Sequence, residues 1–263
     1  MFDSIKNNDT FVHNVNPVTK IIAAAALFVI VVFTHNPNTL LYFVCIMAIL
    51  LFTLSGIQWR YLCILLGVIL VSGLLSSTYM ILYGQGDTTL FKLGIIHVTE
   101  ESFIRGIHIT MRGVILSLFG ALVIFTLKIT DVFYALMIHF KIKSKYAYSF
   151  MAAINMIPLI FSEYVQLRRA RKVRAPLIDK KRIPGFKGLR MTIVTLMSQS
   201  IRRAYRLGIA MESKGFSDNQ RTYYRQTTFS FNDIFFVITI LIALLISSYL
   251  GINYPIFNTS DAR

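Results

Sequence analysis

The chain has 263 residues, of which 55% are hydrophobic and 15% charged, with a mean hydropathy of +0.62 and a formal net charge of +15 at pH 7. A soluble domain carries about 45–50% apolar and about 25% charged residues, so this composition excludes an ordinary soluble enzyme and points to a membrane protein. The two cysteines, Cys45 and Cys63, lie inside apolar runs and are too few for a disulfide scaffold or a zinc cluster.

In chain order, residues 1–20 are polar, with Asn7, Asn8, Asp9, Asn14 and Asn16 preceding any hydrophobic run. No cleavable signal peptide is expected there, and the first membrane segment is expected to be retained. A spanning helix needs about 20 predominantly apolar residues at a rise of about 1.5 Å each. Residues 21–34 form a short, strongly apolar run anchored by Lys20, and His35-Asn36-Pro37-Asn38-Thr39 predicts a tight turn. Residues 40–57 return across the membrane and close on Gln58-Trp59-Arg60, an aromatic and a cation suited to the interface; residues 62–83 cross a third time. Residues 84–101 read as a polar loop without cationic excess.

Arg105, His108 and Arg112 then fall on one face of a helix that runs into the apolar residues 113–127, the fourth expected span. Gly113, Ser117 and Ala121 recur every four residues, a spacing that lets helices approach closely in lipid. The expected role is helix packing, with a substrate-facing groove as the second reading. Thr130-Asp131 predicts a new helix start. From there to residue 228 the pattern is helical and amphipathic, divided by Pro158, Ala175-Pro176 and Ile183-Pro184-Gly185, with no further span expected. Residues 229–250 form the last spanning run.

The expected fold is therefore an all-α integral membrane protein of about five transmembrane helices, with a domain of amphipathic helices between the fourth and fifth. Its parts are residues 1–127, 128–228 and 229–263. Residues 128–225 hold 20 of the 27 Lys/Arg and 5 of the 12 Asp/Glu, so the whole excess positive charge sits in that stretch. Basic segments stay on the cytoplasmic side. This predicts a cytoplasmic N-terminus and a cytoplasmic basic domain, much of whose charge serves as orientation signal and as contact with anionic headgroups of the bilayer.

A search for chemistry returns little. There is no phosphate-cradling Gly-x-x-x-x-Gly-Lys-Ser/Thr loop, no His-Glu-x-x-His zinc pair and no Gly-x-Ser-x-Gly elbow. His13, His35, His97, His108 and His139 lack ligand spacing, and the acidic residues are too sparse for a paired-carboxylate site. Catalysis, a bound cofactor and a metal site are not expected.

The basic stretch does contain a repeat. Ala170-Arg171-Lys172-Val173-Arg174-Ala175 and Ala210-Met211-Glu212-Ser213-Lys214-Gly215 share an alanine, three residues, a cation and a very small residue, 40 positions apart. Each follows an Arg-rich helical turn and ends where a helix should stop, at Ala175-Pro176 and at Gly215-Phe216. A cation there opposes the negative end of the helix dipole, which is one reading of the repeat. The other is that the small residue lets the helix end enter a narrow groove while the cation reaches an acidic group at its bottom.

These features resemble the transmembrane T component of energy-coupling factor (ECF) importers, the CbiQ or EcfT family. Asn16-Pro17-Val18-Thr19-Lys20 is similar to the family's Pro-x-x-Lys entry into the first span, and Arg112 to the arginine that opens a mid-chain helix. Thr130-Asp131-Val132 with Ala135-Leu136, and Ile157-Pro158-Leu159-Ile160 followed by Glu163, resemble its run into the cytoplasmic part. Val173-Arg174-Ala175 and Ser213-Lys214-Gly215 stand where typical members carry two Ala-Arg-Gly coupling motifs. Here Ala175 replaces glycine and Lys214 replaces arginine. Arginine clamps a carboxylate with two parallel hydrogen bonds whereas lysine offers a compact charge, so the two contacts are expected to differ in strength and shape.

The resemblance implies two cytosolic ABC ATPase subunits as partners, a membrane-embedded substrate-binding S component, and no nucleotide site or nucleic-acid partner for this chain. Arg174 and Lys214 would be the primary ATPase contacts, with Val173, Ala175, Ser213 and Gly215 permitting close approach. Ala170, Arg171, Ala210 and Glu212 would be auxiliary, and Gly113, Ser117 and Ala121 would pack helices or meet the S component. The cargo would be a vitamin, a vitamin precursor or a metal ion, chosen by the S component. The rival readings are a self-sufficient secondary transporter, which calls for a midplane ionisable cluster, and a membrane anchor whose basic face binds lipid or nucleic acid.

Overall fold

A computed structural model of the chain describes residues 10–83, 89–93, 96–174, 185–216 and 227–256. After a 3-10 turn at Phe11–Asn14 come α1 (Pro17–Phe33), α2 (Pro37–Leu54), α3 (Trp59–Tyr83), strands β1 (Thr89–Leu93) and β2 (Ile96–Thr99), α4 (Glu100–Thr126), α5 (Ile129–His139), α6 (Ser144–Arg174), α7 (Gly185–Ser213) and α8 (Phe231–Asn253). The chain divides into two compact units, one of residues 1–132 with 227–263 and one of residues 133–226.

Local chemistry sets the boundaries in the first unit. Pro17 and Pro37 open α1 and α2, where a missing N–H costs nothing. Asn16 and Asn36 cap them, each side-chain oxygen accepting a backbone N–H at 3.0 Å, from Val18 and Asn38. Thr99 caps α4 in a reciprocal arrangement with Ser102. The stretch expected as a polar loop instead carries an antiparallel β1–β2 hairpin that runs straight into α4.

The core of this unit is built around α4, which packs on α3, α2 and α1, while α2 also packs on α8. Leu40, Phe43, Met47 and Leu51 recur at helical spacing on the buried face of α2 and meet Val114, Ile115, Leu118, Phe119 and Leu122 of α4 and Phe236 and Ile240 of α8 in one cluster. The opposite faces stay apolar and exposed, as at Phe33, Leu75, Ile124 and Leu245. Helices that are hydrophobic all round belong in lipid, and the chain is a multi-pass membrane protein.

Cations hold α1 to α4 at two places. Lys20, 1% exposed, donates from Nζ to the carbonyl of Thr126, the last residue of α4, at 2.8 Å. Arg112 of α4 donates from Nη2 to the carbonyl of Thr34, which caps the end of α1, at 2.8 Å. Each cation thus meets a carbonyl that the helix itself leaves without a partner. Asp233, 4% exposed, accepts the Asn16 N–H on Oδ1 and the Ser230 N–H on Oδ2, both at 2.6 Å, joining the starts of α1 and α8. The far end of α8 is fastened to the start of α2 by Tyr42 to the Tyr254 carbonyl at 3.0 Å and by the Ile256 N–H to Asn38 at 2.9 Å.

Five described helices are long and apolar enough to cross a membrane: Pro37–Leu54, Trp59–Leu82, Ser102–Thr126, Ser144–Val173 and Phe231–Asn253. The number is the expected one, but two assignments change. The run at residues 21–34 becomes the 17-residue α1, about 26 Å long at about 1.5 Å per residue and short of the roughly 30 Å hydrocarbon core. Three apolar helices of 18 residues or more, with the shorter apolar α1 before them, therefore precede residue 127. Conversely, Pro158 does not divide the amphipathic region, because it lies inside the continuous 31-residue α6. One ladder hydrogen bond is lost at the proline and the helix continues through it, so α6 reaches spanning length.

In the second unit, Phe133 of α5 stacks on Phe150 of α6 and Tyr134 meets Tyr148 edge-on. The bodies of α6 and α7 are joined by an ion pair between Glu163 and Arg203. Arg171 adds a second brace, donating to the Gly188 carbonyl at 3.2 Å and to Thr192 on α7.

Two outcomes test this packing. A Cβ at Gly251 would stand 2.7 Å from the backbone nitrogen of Thr39, whereas one at Gly113 would meet nothing within 4 Å. Gly251→Ala should cost about 1–3 kcal/mol by overpacking, and Gly113→Ala should be neutral or slightly stabilising by helix propensity; thermal unfolding in detergent reads both. In a double-mutant cycle on Glu163 and Arg203, the Arg203→Met single variant should lose about 1–3 kcal/mol, between exposed and buried pairs. Adding Glu163→Gln should restore part of that loss, as read by protease resistance of the α6–α7 region.

Candidate functional site

The second repeat segment is a complete helix stop. The Phe216 N–H donates to the Met211 carbonyl at 3.0 Å and the Gly215 N–H to the Glu212 carbonyl at 2.9 Å, the paired bonds of a Schellman ending. Gly215 has φ of +75°, a left-handed conformation that a side chain would strain. Lys214 is thereby placed at the cap of α7, and Glu212, Ser213, Lys214 and Gly215 are all exposed. The Ser213 hydroxyl turns back to the Ala210 carbonyl at 3.0 Å, and Ala210 is itself exposed. The end is small, rigid and tipped by one ammonium beside helix carbonyls already satisfied by the chain.

Phe216 anchors this end. Its ring meets Tyr148 of α6 edge-on at 5.8 Å, and Tyr148 in turn meets Tyr134 of α5. The aromatic row fixes where Lys214 stands relative to the start of α6. Beside it, Leu207, Ala210, Met211, Lys214 and Phe216 line a shallow recess.

In the first segment Arg174 is the last residue of α6, and Ala175 lies outside the described residues. Val173 is 71% exposed and Ala170 is exposed, so among the described residues nothing covers this part of the end of α6. Arg171 sits differently: its guanidinium is half-buried against Gly188 and Thr192 of α7 and braces the two helices. The spacing that put Arg171 near Arg174 could not show this, because the acceptors are supplied by another helix.

The ends of α6 and α7 therefore belong to one compact unit whose two helices are joined by the Glu163–Arg203 pair and by Arg171. Along α7, Leu189, Ile193, Met197, Ile201, Tyr205 and Ile209 form an exposed apolar row at four-residue spacing, leading to Ser213. The sequence signal for this row was its helical period.

Of the small-residue stripe on α4, Ala121 packs against the core, but Gly113 and Ser117 are exposed. Among the described residues no helix packs closely on Gly113, where an added Cβ would meet nothing within 4 Å. The described residues contain no group of three or more His, Cys, Asp or Glu side chains able to hold a metal ion.

Residues 8–224 match the family described as CbiQ, cobalt transport protein. Over 247 residues the chain is 26% identical to the energy-coupling factor transporter transmembrane protein EcfT of Streptococcus equi subsp. equi, covering 89% of this chain and 90% of that protein. It is 24% identical to the protein of the same name from Streptococcus thermophilus, over 92% of this chain and 95% of the relative. The corresponding Bacillus subtilis protein is 26% identical over 89% of this chain and 91% of its own length. With the family match spanning most of the sequence, and with the helix ends built as described, the chain belongs to the CbiQ/EcfT family, the transmembrane T components of ECF transporters.

Proposed function

We propose that this chain transmits ATP hydrolysis by two cytosolic ABC ATPase subunits to a membrane-embedded, substrate-binding S component, for uptake of a vitamin, a vitamin precursor or a metal ion. One observation carries the reading: α7 ends in a Schellman turn that holds Lys214 exposed beside Ser213 and Gly215, and α6 of the same unit ends at Arg174. A rigid, narrow helix end with one cation suits a groove with an acidic floor.

Arg174 and Lys214 are the primary contacts in this reading, with Val173, Ala175, Ser213 and Gly215 permitting close approach and Ala170, Ala210 and Glu212 at the periphery. Arg171 serves indirectly, by bracing α6 on α7. The basic region and the N-terminus face the cytoplasm, consistent with the +15 charge concentrated in residues 128–225. An ATPase pair that closes would push on the two ends and change their separation, and the linked helices α6 and α7 would carry that movement onward. The exposed apolar row of α7, and Gly113 with Ser117 on α4, offer apolar and closely approachable surface to the S component.

Removing a charge-assisted contact costs about 1.5–3 kcal/mol, so Arg174→Ala with Lys214→Ala should weaken ATPase association at least about 100-fold. Affinity purification of the complex in mild detergent reads this. Retention of both ATPases with undiminished ATP-driven uptake by the correctly inserted double variant would reject the assignment. In the same assay Gly215→Val should weaken association by straining the left-handed residue, at about 1–2 kcal/mol, while Lys214→Arg should retain it.

A further inference from the structure

We infer that Lys20 and Asp233 are positioning residues for energy transmission: they tie together the helix ends through which movement of the second unit enters the membrane bundle. This inference rests on the coupling role proposed above and names where that coupling passes.

The geometry points there for three reasons. The chain passes from the first unit into the second between residues 132 and 133 and returns between 226 and 227. Thr126, which receives the Lys20 ammonium, lies just before the first crossing, and Ser230 and Asp233 lie just after the second. The two crossings thus lead directly into residues held by hydrogen bonds of two buried charged side chains, Lys20 to Thr126 and Asp233 to Asn16 and Ser230.

The second reason is the nature of the bonds. Lys20 bonds a carbonyl at the end of α4, and Asp233 bonds amides at the starts of α1 and α8. These contacts fix backbone termini, so a displacement of either crossing is delivered to the axes of α4 and α8 together with that of α1. The third reason is burial. Lys20 and Asp233 are 1% and 4% exposed. Buried charges contribute little net stability compared with an apolar replacement, but they specify one arrangement of their partners, which is what a transmission point requires.

The test uses the full complex with its ATPase and S subunits in lipid nanodiscs, spin-labelled after Cys45→Ala and Cys63→Ala. One label pair reports within the second unit, at Lys172→Cys and Ile209→Cys, and another within the bundle, at Ile124→Cys and Leu245→Cys, all at exposed positions. Pulsed electron–electron distances are compared before and after trapping with MgATP and vanadate. Both pairs should shift with the native knot. With Lys20→Met/Asp233→Asn the second-unit pair should still shift, while the population reaching the trapped bundle distance falls about 3- to 30-fold. Lys20→Arg should restore it, and Lys20→Gln, which keeps a donor for Thr126 without the charge, should fall between.

A purely structural role would lower the yield or the melting temperature and leave the bundle shift per trapped molecule unchanged, which overturns the inference. Should the double variant not assemble, an undiminished bundle shift in assembled Lys20→Gln overturns it equally. A second-unit pair that does not respond even with the native knot would instead reject the coupling reading, and this inference with it.

Discussion

The membrane bundle depends on how its helix ends are satisfied. In lipid no water is available to a carbonyl left over at a helix terminus, and each such group costs several kcal/mol if it is not paired. Here two cations answer that need on one helix pair, Lys20 at the end of α4 and Arg112 at the end of α1. Since α1 and α4 run in opposite directions, the two bonds hold the pair at separate levels, and the apolar core closes between them. Asp233 then brings in α8 by accepting the amide of Asn16, and the α2–α8 contact at Gly251 completes the bundle from the other end.

The second unit is built on a different balance. Its helices bury little of their apolar surface against each other and are joined by polar links, Glu163 to Arg203 and Arg171 to Thr192. Aromatic contacts from Tyr134 through Tyr148 to Phe216 fix the end of α7. Exposed apolar surface of this kind signals partners or lipid. At Lys214 the helix stops abruptly and its last backbone groups are already satisfied, as the left-handed Gly215 arranges.

Much of this was legible in the sequence, for identifiable reasons. The helix starts at Pro17 and Pro37 and the stop at Gly215 are local signals, and local chemistry decided them. The family resemblance rested on the same short segments and the comparisons support it. What the sequence hid were choices made by tertiary context. Pro158 reads as a break, yet α6 passes through it. Gly113 and Ser117 read as a packing face, yet they are exposed because α4 buries the neighbouring face bearing Val114, Ile115 and Leu118. Lys20 reads as an interfacial anchor, and nothing near it in sequence reveals that its partner is Thr126. Arg171 likewise found its acceptors on α7.

The central claim is that this chain works as the mechanical link of a larger assembly, and the composition of that assembly tests it most directly. Native mass spectrometry of the chain purified from its own membranes in mild detergent should show one copy bound to two ABC ATPase subunits and one small hydrophobic membrane protein. Recovery of the chain alone, or in an assembly without ATPase subunits, would contradict the account.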